Sequence, residues 1–202
     1  MMKRLPIKLA LVWLIASMAN GCDVVMHETW TPVYPEHIPI CYDYGCATAD
    51  HFGLSAMQWQ QVTQLFSPPA PDSTTERHRI RQAIALMEQL AGTYTPTQGD
   101  KGKNPPFEPY PGGMDCIDES INTTTYLRLL SEHHLLQWHT VKERVVRAPI
   151  LFNMHHAAQI QDISTGQLYV VDSWYLDNGQ PPFIQLRHDW LHQKPFAKTQ
   201  RR

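Results

Sequence analysis

Apolar side chains recur at helical spacing in two segments of the N-terminal half of the chain. Ser55 and Gln58 have the spacing of a capping box, and the apolar stripe that follows them ends at a proline-rich stretch. Ser73 and Glu76 repeat the pattern, and the stripe after them runs to Gly92. Because residues three and four positions apart share one helix face, each segment predicts an amphipathic helix packed on a core.

A third helix is predicted to begin at Cys116, with Asp115 as its N-cap and Asp118 in its first turn. The preceding residues, 93–114, form a predicted loop that is stiffened by prolines and ends in Gly112-Gly113. Glycine permits backbone torsions and close substrate approach that other residues resist. A long loop that leads into a helix start is a common location for function.

After this helix the periodicity changes to short runs that are typical of strands. Turn residues separate them, which predicts an antiparallel sheet. The predicted strands are residues 138–146, 156–163, 168–171 and 183–186. Helices first and an antiparallel sheet afterwards indicate an α+β fold.

Composition adds limits to this picture. The chain has 202 residues, of which 43% are hydrophobic, enough for the core of one domain. Its net charge of −2 gives no electrostatic basis for a nucleic-acid partner. No motif indicates a cofactor.

Residues 1–21 have the order of a secretory signal peptide: basic residues, then an apolar stretch, then small residues. The apolar stretch is too short to span a bilayer comfortably. We therefore expect export, with the periplasm as the destination.

The cleavage site of this segment has two interpretations. Ser17-Met18-Ala19 suits ordinary signal peptidase, whereas Gly21-Cys22 resembles the end of a bacterial lipobox. In the second case Cys22 would be lipidated, and a multiply acylated terminus binds membranes stably. Both alternatives remain open at this point.

Three further segments are predicted downstream. Residues 22–53 form an irregular lead-in, residues 54–192 the main domain, and residues 193–202 a basic, frayed tail. Within the lead-in, Cys41 and Cys46 are close enough to form a short disulfide in an oxidising compartment. If Cys22 is lipidated or removed and this disulfide forms, Cys116 is the thiol left over, which favours a reactive role.

Cys116, His156 and Asp172 have the order of a thiol nucleophile, its base and the group that orients the base. The free N–H groups at a helix start stabilise a thiolate, and a nearby imidazolium adds to this effect. The same N–H groups can stabilise an oxyanion on a bound acyl group.

The motifs Met114-Asp115-Cys116, His156-Ala157-Ala158 and Val170-Val171-Asp172 resemble those of the transglutaminase-like superfamily, most nearly its bacterial cysteine proteinases. The resemblance spans about residues 75–190 in the order of elements. It implies a papain-like core and acyl transfer, with Cys116 as nucleophile, His156 as base and acid, and Asp172 as the orienting residue. It also implies a protein or peptide substrate.

The doublet His155-His156 leaves two candidate bases. We expect His156, because His-Ala is the pairing of the family and strand alternation would send His155 to the opposite face. A tight turn at Thr165-Gly166 would place Asp172 opposite residue 159. Asn153 and Gly113 are candidates for oxyanion or substrate contacts.

Two other classes of function are compatible with these residues. Cys116, His156 and Asp172 could instead serve a metal hydrolase, although neither histidine doublet chelates a metal alone. A non-catalytic binding or scaffolding lipoprotein is the other alternative. If the thiol is catalytic, cleavage, deamidation and crosslinking share one acyl-enzyme, and the resemblance slightly favours proteolysis.

Overall fold

The computed structural model describes residues 24–25, 31–104, 109–148 and 154–200. The predicted signal peptide and Cys22 lie outside the described residues. The α-helices are α1 (Ala56–Gln64), α2 (Ser73–Ala91), α3 (Cys116–Glu132) and α4 (Arg187–Leu191). Two short 3-10 helices cover Pro96–Gly99 and Lys198–Gln200. Among the described residues, no helix has the length and apolar character needed to cross a bilayer.

The strands form two antiparallel sheets, so that the fold is α+β. They are β1 (Val24–Val25), β2 (Ile38–Tyr42), β3 (Thr48–Phe52), β4 (His139–Arg147), β5 (His155–Asp162), β6 (Leu168–Asp172) and β7 (Phe183–Leu186). The larger sheet has the order β1-β4-β5-β6-β7, and β2 pairs with β3 in a separate hairpin.

The hairpin β2-β3 corrects the expectation of an irregular lead-in. Ile38, Ile40 and Phe52 are buried and belong to the same core as the helices. Strand β2 reads Ile-Pro-Ile-Cys-Tyr, without alternation of apolar and polar residues, and its Pro39 lies at the edge of a two-stranded sheet, where a missing N–H is tolerated. That proline obscured the strand in the sequence.

Helix α3 lies at the centre of the molecule, between the large sheet and the hairpin. It packs against β5, β2 and β4. Polar side chains such as Thr123 and Asn122 are buried along it, as are Tyr126 and Leu130. A helix that is surrounded by protein has no solvent face, and this explains why its sequence shows only a weak apolar stripe.

The two faces of the large sheet carry separate cores. Ala158 and Val171 face the helices α2 and α3, whereas Ala157 and Val170 contact Trp190 of α4 on the other side. This alternation follows from the two-residue period of a strand. It also decides which histidine of the 155–156 doublet faces Trp190.

The C-terminal segment is more ordered than the predicted frayed tail. The Gln200 side chain accepts a hydrogen bond from the N–H of Ile184 at 2.8 Å and donates to its carbonyl at 2.8 Å. The glutamine therefore satisfies the free edge of β7 in the way a further strand would. Arg81 of α2 also donates to the Gln200 carbonyl.

Glu76 has a different role from the one its spacing predicts. The N-cap of α2 is Asp72, whose carboxylate accepts from the N–H of Thr75 at 2.7 Å. Glu76 turns inward and accepts from the N–H groups of Gln137 and Trp138 at 2.6 and 3.0 Å. It also bonds Nδ1 of His139 at 2.8 Å. One buried carboxylate thus connects α2 to the start of β4.

We predict that Glu76→Ala lowers the free energy of unfolding by about 3 kcal/mol, because it leaves several buried donors without an acceptor. Chemical denaturation measures this change. Gln82→Ala, at an exposed position of the same helix, serves as the control and should change stability by less than about 0.5 kcal/mol. Equal effects of the two substitutions would contradict the assigned role of Glu76.

Candidate active site

Cys116 is the first residue of α3, as predicted, and it is partly exposed. Asp115 is the N-cap, and its carboxylate accepts from the N–H groups of Ile117 and Asp118 at 2.9 and 3.1 Å. Within the described part of the chain the backbone N–H of Cys116 itself donates to no other group. That N–H is therefore available to a ligand next to the sulfur.

The disulfide-bonded turn between β2 and β3 holds the start of this helix. Cys41 and Cys46 are joined, as expected from their spacing. Asn122 of α3 binds both the N–H and the carbonyl of Cys41, each at 2.8 Å. Asp118 accepts from the N–H of Cys46 at 2.6 Å and from the N–H of Asp115 at 3.0 Å. Asp118 is thus more than a first-turn helix acid, because it connects the turn to the N-cap.

The same turn positions the glycine pair that precedes the cysteine. The carboxylate of Asp43 accepts from the N–H of Gly112 at 2.8 Å, and the N–H of Asp43 donates to the carbonyl of Gly113 at 2.9 Å. Gly112 has a φ of +77° and lies against the carbonyl of Pro96, so that no side chain fits there. The approach to Cys116 is therefore fixed by several independent contacts.

Gly113, a candidate oxyanion donor, has its N–H occupied by the carbonyl of Tyr110 at 3.0 Å. The N–H of Gly113 is therefore not free for a substrate, and this part of the expectation is corrected. Asn153, the other candidate, lies outside the described residues. In the described site, the N–H of Cys116 is the donor that remains available near the sulfur.

His155, rather than His156, is the histidine that contacts Asp172. Its Nε2 lies 2.8 Å from Oδ2 of Asp172, and both side chains are buried. Nδ1 is then the ring nitrogen left for the thiol of Cys116, with which the His155 side chain also interacts. The structure therefore brings together Cys116, His155 and Asp172.

The electrostatics of His155 follow from this position. Burial alone would lower its pKa, but the Asp172 carboxylate and the Cys116 sulfur outweigh burial and raise the pKa to about 9. The imidazole is therefore protonated at neutral pH. An imidazolium next to the sulfur is the partner that stabilises a thiolate.

His156 has the opposite character. Its Nδ1 is buried without a hydrogen-bond partner. Burial and then the neighbouring charge of Arg144 lower its pKa, so that the ring stays neutral. The sequence-based choice of His156 as the base is corrected by this geometry, since the ring lies on the other face of β5 from Asp172.

The parity of the β5-β6 hairpin could have identified His155. The observed register pairs Ala158 with Val171, so that Asp172 continues opposite residue 157 rather than the predicted 159. Side chains directly opposite each other in an antiparallel pair share a face. Both registers place Asp172 on the face of odd-numbered residues of β5, which includes 155 and excludes 156.

Trp190 is a site residue that the sequence did not indicate. Its Nε1 donates to Oδ2 of Asp172 at 2.7 Å, and its side chain is fully buried. The His155 ring packs among three aromatic rings, with centroid distances of 4.7 Å to Trp174, 5.4 Å to Tyr175 and 5.5 Å to Trp190. Trp174 thus shields the His155–Asp172 pair from water. Trp190 comes from a short helix 18 residues beyond Asp172, and no local pattern connects the two.

Three buried carboxyl groups, those of Glu119, Glu88 and Asp100, lie close enough together to affect the pKa of Glu119. Glu119, one turn along α3, has a pKa well above its usual range, first because of burial and then because of the charge of Glu88. Burial likewise raises the pKa of Glu88 to about 8 and that of Asp100 to about 7.

Asp100 is one of these buried acids, and its carboxyl group has a structural role. Its Oδ1 accepts from the N–H of Met114 at 2.6 Å and from the Asn104 amide at 2.6 Å. Met114 is two residues before Cys116, so that this carboxyl group holds the segment leading to Cys116. Glu88 similarly accepts from the N–H of Gly179 at 2.9 Å.

No known protein family, curated protein or solved structure matched the chain in sequence and structure comparisons. The described residues contain no group of three or more histidine, cysteine, aspartate or glutamate side chains arranged to hold a metal ion. The chemistry of the site is therefore argued from its own geometry.

We predict that the protein loses stability as the pH rises from about 5 to 8.5. Carboxyl groups of an unfolded chain titrate near pH 4. Over this interval the folded protein therefore holds more protons than the unfolded chain, and unfolding becomes easier as those protons leave. Glu88→Gln removes one such group. At pH 8.5 it should be more stable than the wild type by about 1–3 kcal/mol, and the difference should shrink at pH 5.

Denaturant titrations at the two pH values test this prediction. Glu36→Gln removes the same charge from an exposed position and should leave the pH dependence unchanged. An identical decline in the wild type and in Glu88→Gln would show that Glu88 does not carry the effect.

Proposed function

We propose that the protein is an exported thiol-dependent hydrolase or acyltransferase that acts on amide bonds. The observation that carries this proposal is the position of the buried His155 ring between Asp172 and Cys116, at the N-terminus of α3. We also propose that α3 and the antiparallel sheet form a papain/transglutaminase-like core. Its support is the arrangement of a cysteine at a helix start and of a histidine and an aspartate on adjacent strands.

The reaction would begin from a thiolate and an imidazolium. The sulfur of Cys116 attacks the acyl carbon, and the backbone N–H of Cys116 donates to the developing oxyanion. The C–N bond then breaks as His155 gives its proton to the leaving amine. The product of this step is a thioester on Cys116 and a neutral imidazole.

The second step releases the acyl group. His155 removes a proton from water or from an acceptor amine, whose oxygen or nitrogen attacks the thioester. The C–S bond breaks, and the thiolate and imidazolium are restored. Throughout both steps Asp172 and Trp190 keep the ring in one orientation. Cleavage is the variant that we favour, with a protein or peptide as the substrate.

Export and membrane attachment belong to the same proposal. The support for export is the basic, apolar and small-residue order of residues 1–21 together with the Cys41–Cys46 disulfide, a bond that persists in oxidising compartments. Lipidation of Cys22 would anchor the protein to the periplasmic side of a membrane.

Alkylation of Cys116 by iodoacetamide tests the proposed catalytic role. In the wild type we expect fast labelling at pH 6, as followed by mass spectrometry of the Cys116 peptide. His155→Ala should slow labelling by about tenfold or more, because an ordinary thiol is almost fully protonated at this pH. His156→Ala is the matched control, since it removes the same side chain one position later, and its rate should stay within about threefold.

The outcomes separate the alternatives. Slow labelling in all three proteins would contradict a catalytic thiol and would favour a binding or scaffolding protein. A larger effect of His156→Ala than of His155→Ala would restore His156 as the base.

A further inference from the structure

A groove beside the His155–Asp172 pair is lined by aromatic and basic side chains that the proposed reaction does not require. It has a volume of about 490 Å³, a size that accommodates one or two amino-acid residues. Tyr175 forms part of its wall, and the ring of Tyr175 packs edge-on against His155 at 5.4 Å. The groove therefore lies directly next to the base.

One wall of the groove is aromatic. The rings of Phe183 and Phe196 stack at 4.1 Å with an angle of 7° between their planes. Tyr175 contacts Phe196 edge-on at 5.0 Å. These rigid, mutually packed rings give the groove an apolar surface against which the hydrocarbon part of a bound residue can lie.

Three basic side chains also line the groove. Lys103 and Arg147 line the groove together with Lys194. Lys194 is neutralised by Asp189 at 2.7 Å. By contrast, no carboxylate of the described residues forms a salt bridge with Lys103 or Arg147. Lys103 and Arg147 thus have no salt-bridge partner in the described part of a protein whose net charge is −2.

Arg147 is fixed in place by neutral groups. Its guanidinium donates to the carbonyl of Trp190 at 2.7 Å and to the hydroxyl of Tyr175. It also lies 4.3 Å from the centre of the Trp190 ring. Lys103 places its Nζ 5.8 Å from the centre of the Tyr175 ring. Two cations without a salt bridge, beside an aromatic wall, are suited to a carboxylate on a short hydrocarbon stem.

We infer that this groove binds a carboxylate of the substrate close to the amide bond that is attacked, so that acidic peptides are the preferred substrate class. This inference rests on the proposed function. The carboxylate could belong to a glutamate side chain or to the C-terminus of a peptide, since the two present the same anionic group.

Protection of Cys116 from iodoacetamide tests this inference without requiring turnover. Three acetylated tripeptides are compared as protectants: Ala-Glu-Ala amide, Ala-Gln-Ala amide, and Ala-Ala-Ala with a free C-terminus. In the wild type we expect at least one anionic peptide to protect at a concentration about fivefold lower than the neutral one. The advantage should shrink between 50 and about 500 mM salt, because partly exposed charges are screened.

Lys103→Gln should remove most of this advantage. Lys101→Gln is the matched control, because Lys101 is an exposed lysine two residues away that pairs with Asp177 and does not line the groove. Protection by the glutamate peptide would identify the side chain as the source of the carboxylate, and protection by the free C-terminus alone would identify the terminus.

The experiment distinguishes failure of this inference from failure of the proposed function. Fast labelling of Cys116 with equal protection by neutral and anionic peptides would overturn the groove assignment and leave the thiol chemistry intact. An anionic preference that Lys103→Gln does not change would also overturn it. Slow labelling of Cys116 without any peptide would overturn the proposed function first.

Discussion

The Oδ2 atom of Asp172 organises the candidate site, because it accepts hydrogen bonds from both His155 and Trp190. One donor comes from β5 and the other from α4, so that a single buried oxygen connects the sheet to the helix that covers it. Charge-assisted hydrogen bonds of this kind are short and directional. Loss of either donor would leave the buried Asp172 carboxylate with one hydrogen bond fewer in an apolar environment.

A second constraint acts from the opposite side of the molecule. The hairpin β2-β3 ends in a disulfide-bonded turn, and the backbone of that turn is held by Asn122 and Asp118 of α3. Asp43 of the same turn holds the glycine pair before Cys116. Cys116 is therefore positioned from one side and the His155 ring from the other. This division resembles the way many sites are built at the meeting point of two structural layers.

Much of the fold was predictable from the sequence, because α1 and α2 carry periodic apolar stripes and the N-caps of α1 and α3 are clear. The start of α3 at Cys116 followed from Asp115 and the glycine pair before it. The four strands after α3 were found because turn residues separate them. The hairpin β2-β3 was missed, since its strands are short and one contains a proline. Short segments whose stability comes from packing on α3 leave little local signal.

The candidate site was predicted in part, and its errors have physical causes. Cys116 and Asp172 lie in one site, as predicted, whereas His156 was chosen from a motif rather than from strand parity, and His155 is the histidine beside Asp172. The role of Trp190 at the site and the inward orientation of the Glu76 side chain depend on contacts between distant segments. Such contacts are decided by tertiary packing, which a local pattern of residues does not encode.

The turn that holds the start of α3 places opposing redox demands on this protein. The turn contains the Cys41–Cys46 disulfide, whereas the proposed role of Cys116 requires a reduced thiol. A strong reductant that keeps Cys116 reduced would also break the Cys41–Cys46 disulfide and loosen the support of the helix start. Handling of the purified protein therefore calls for a thiol buffer of intermediate potential, and in the cell the lone thiol would depend on rapid reduction of any mixed disulfide.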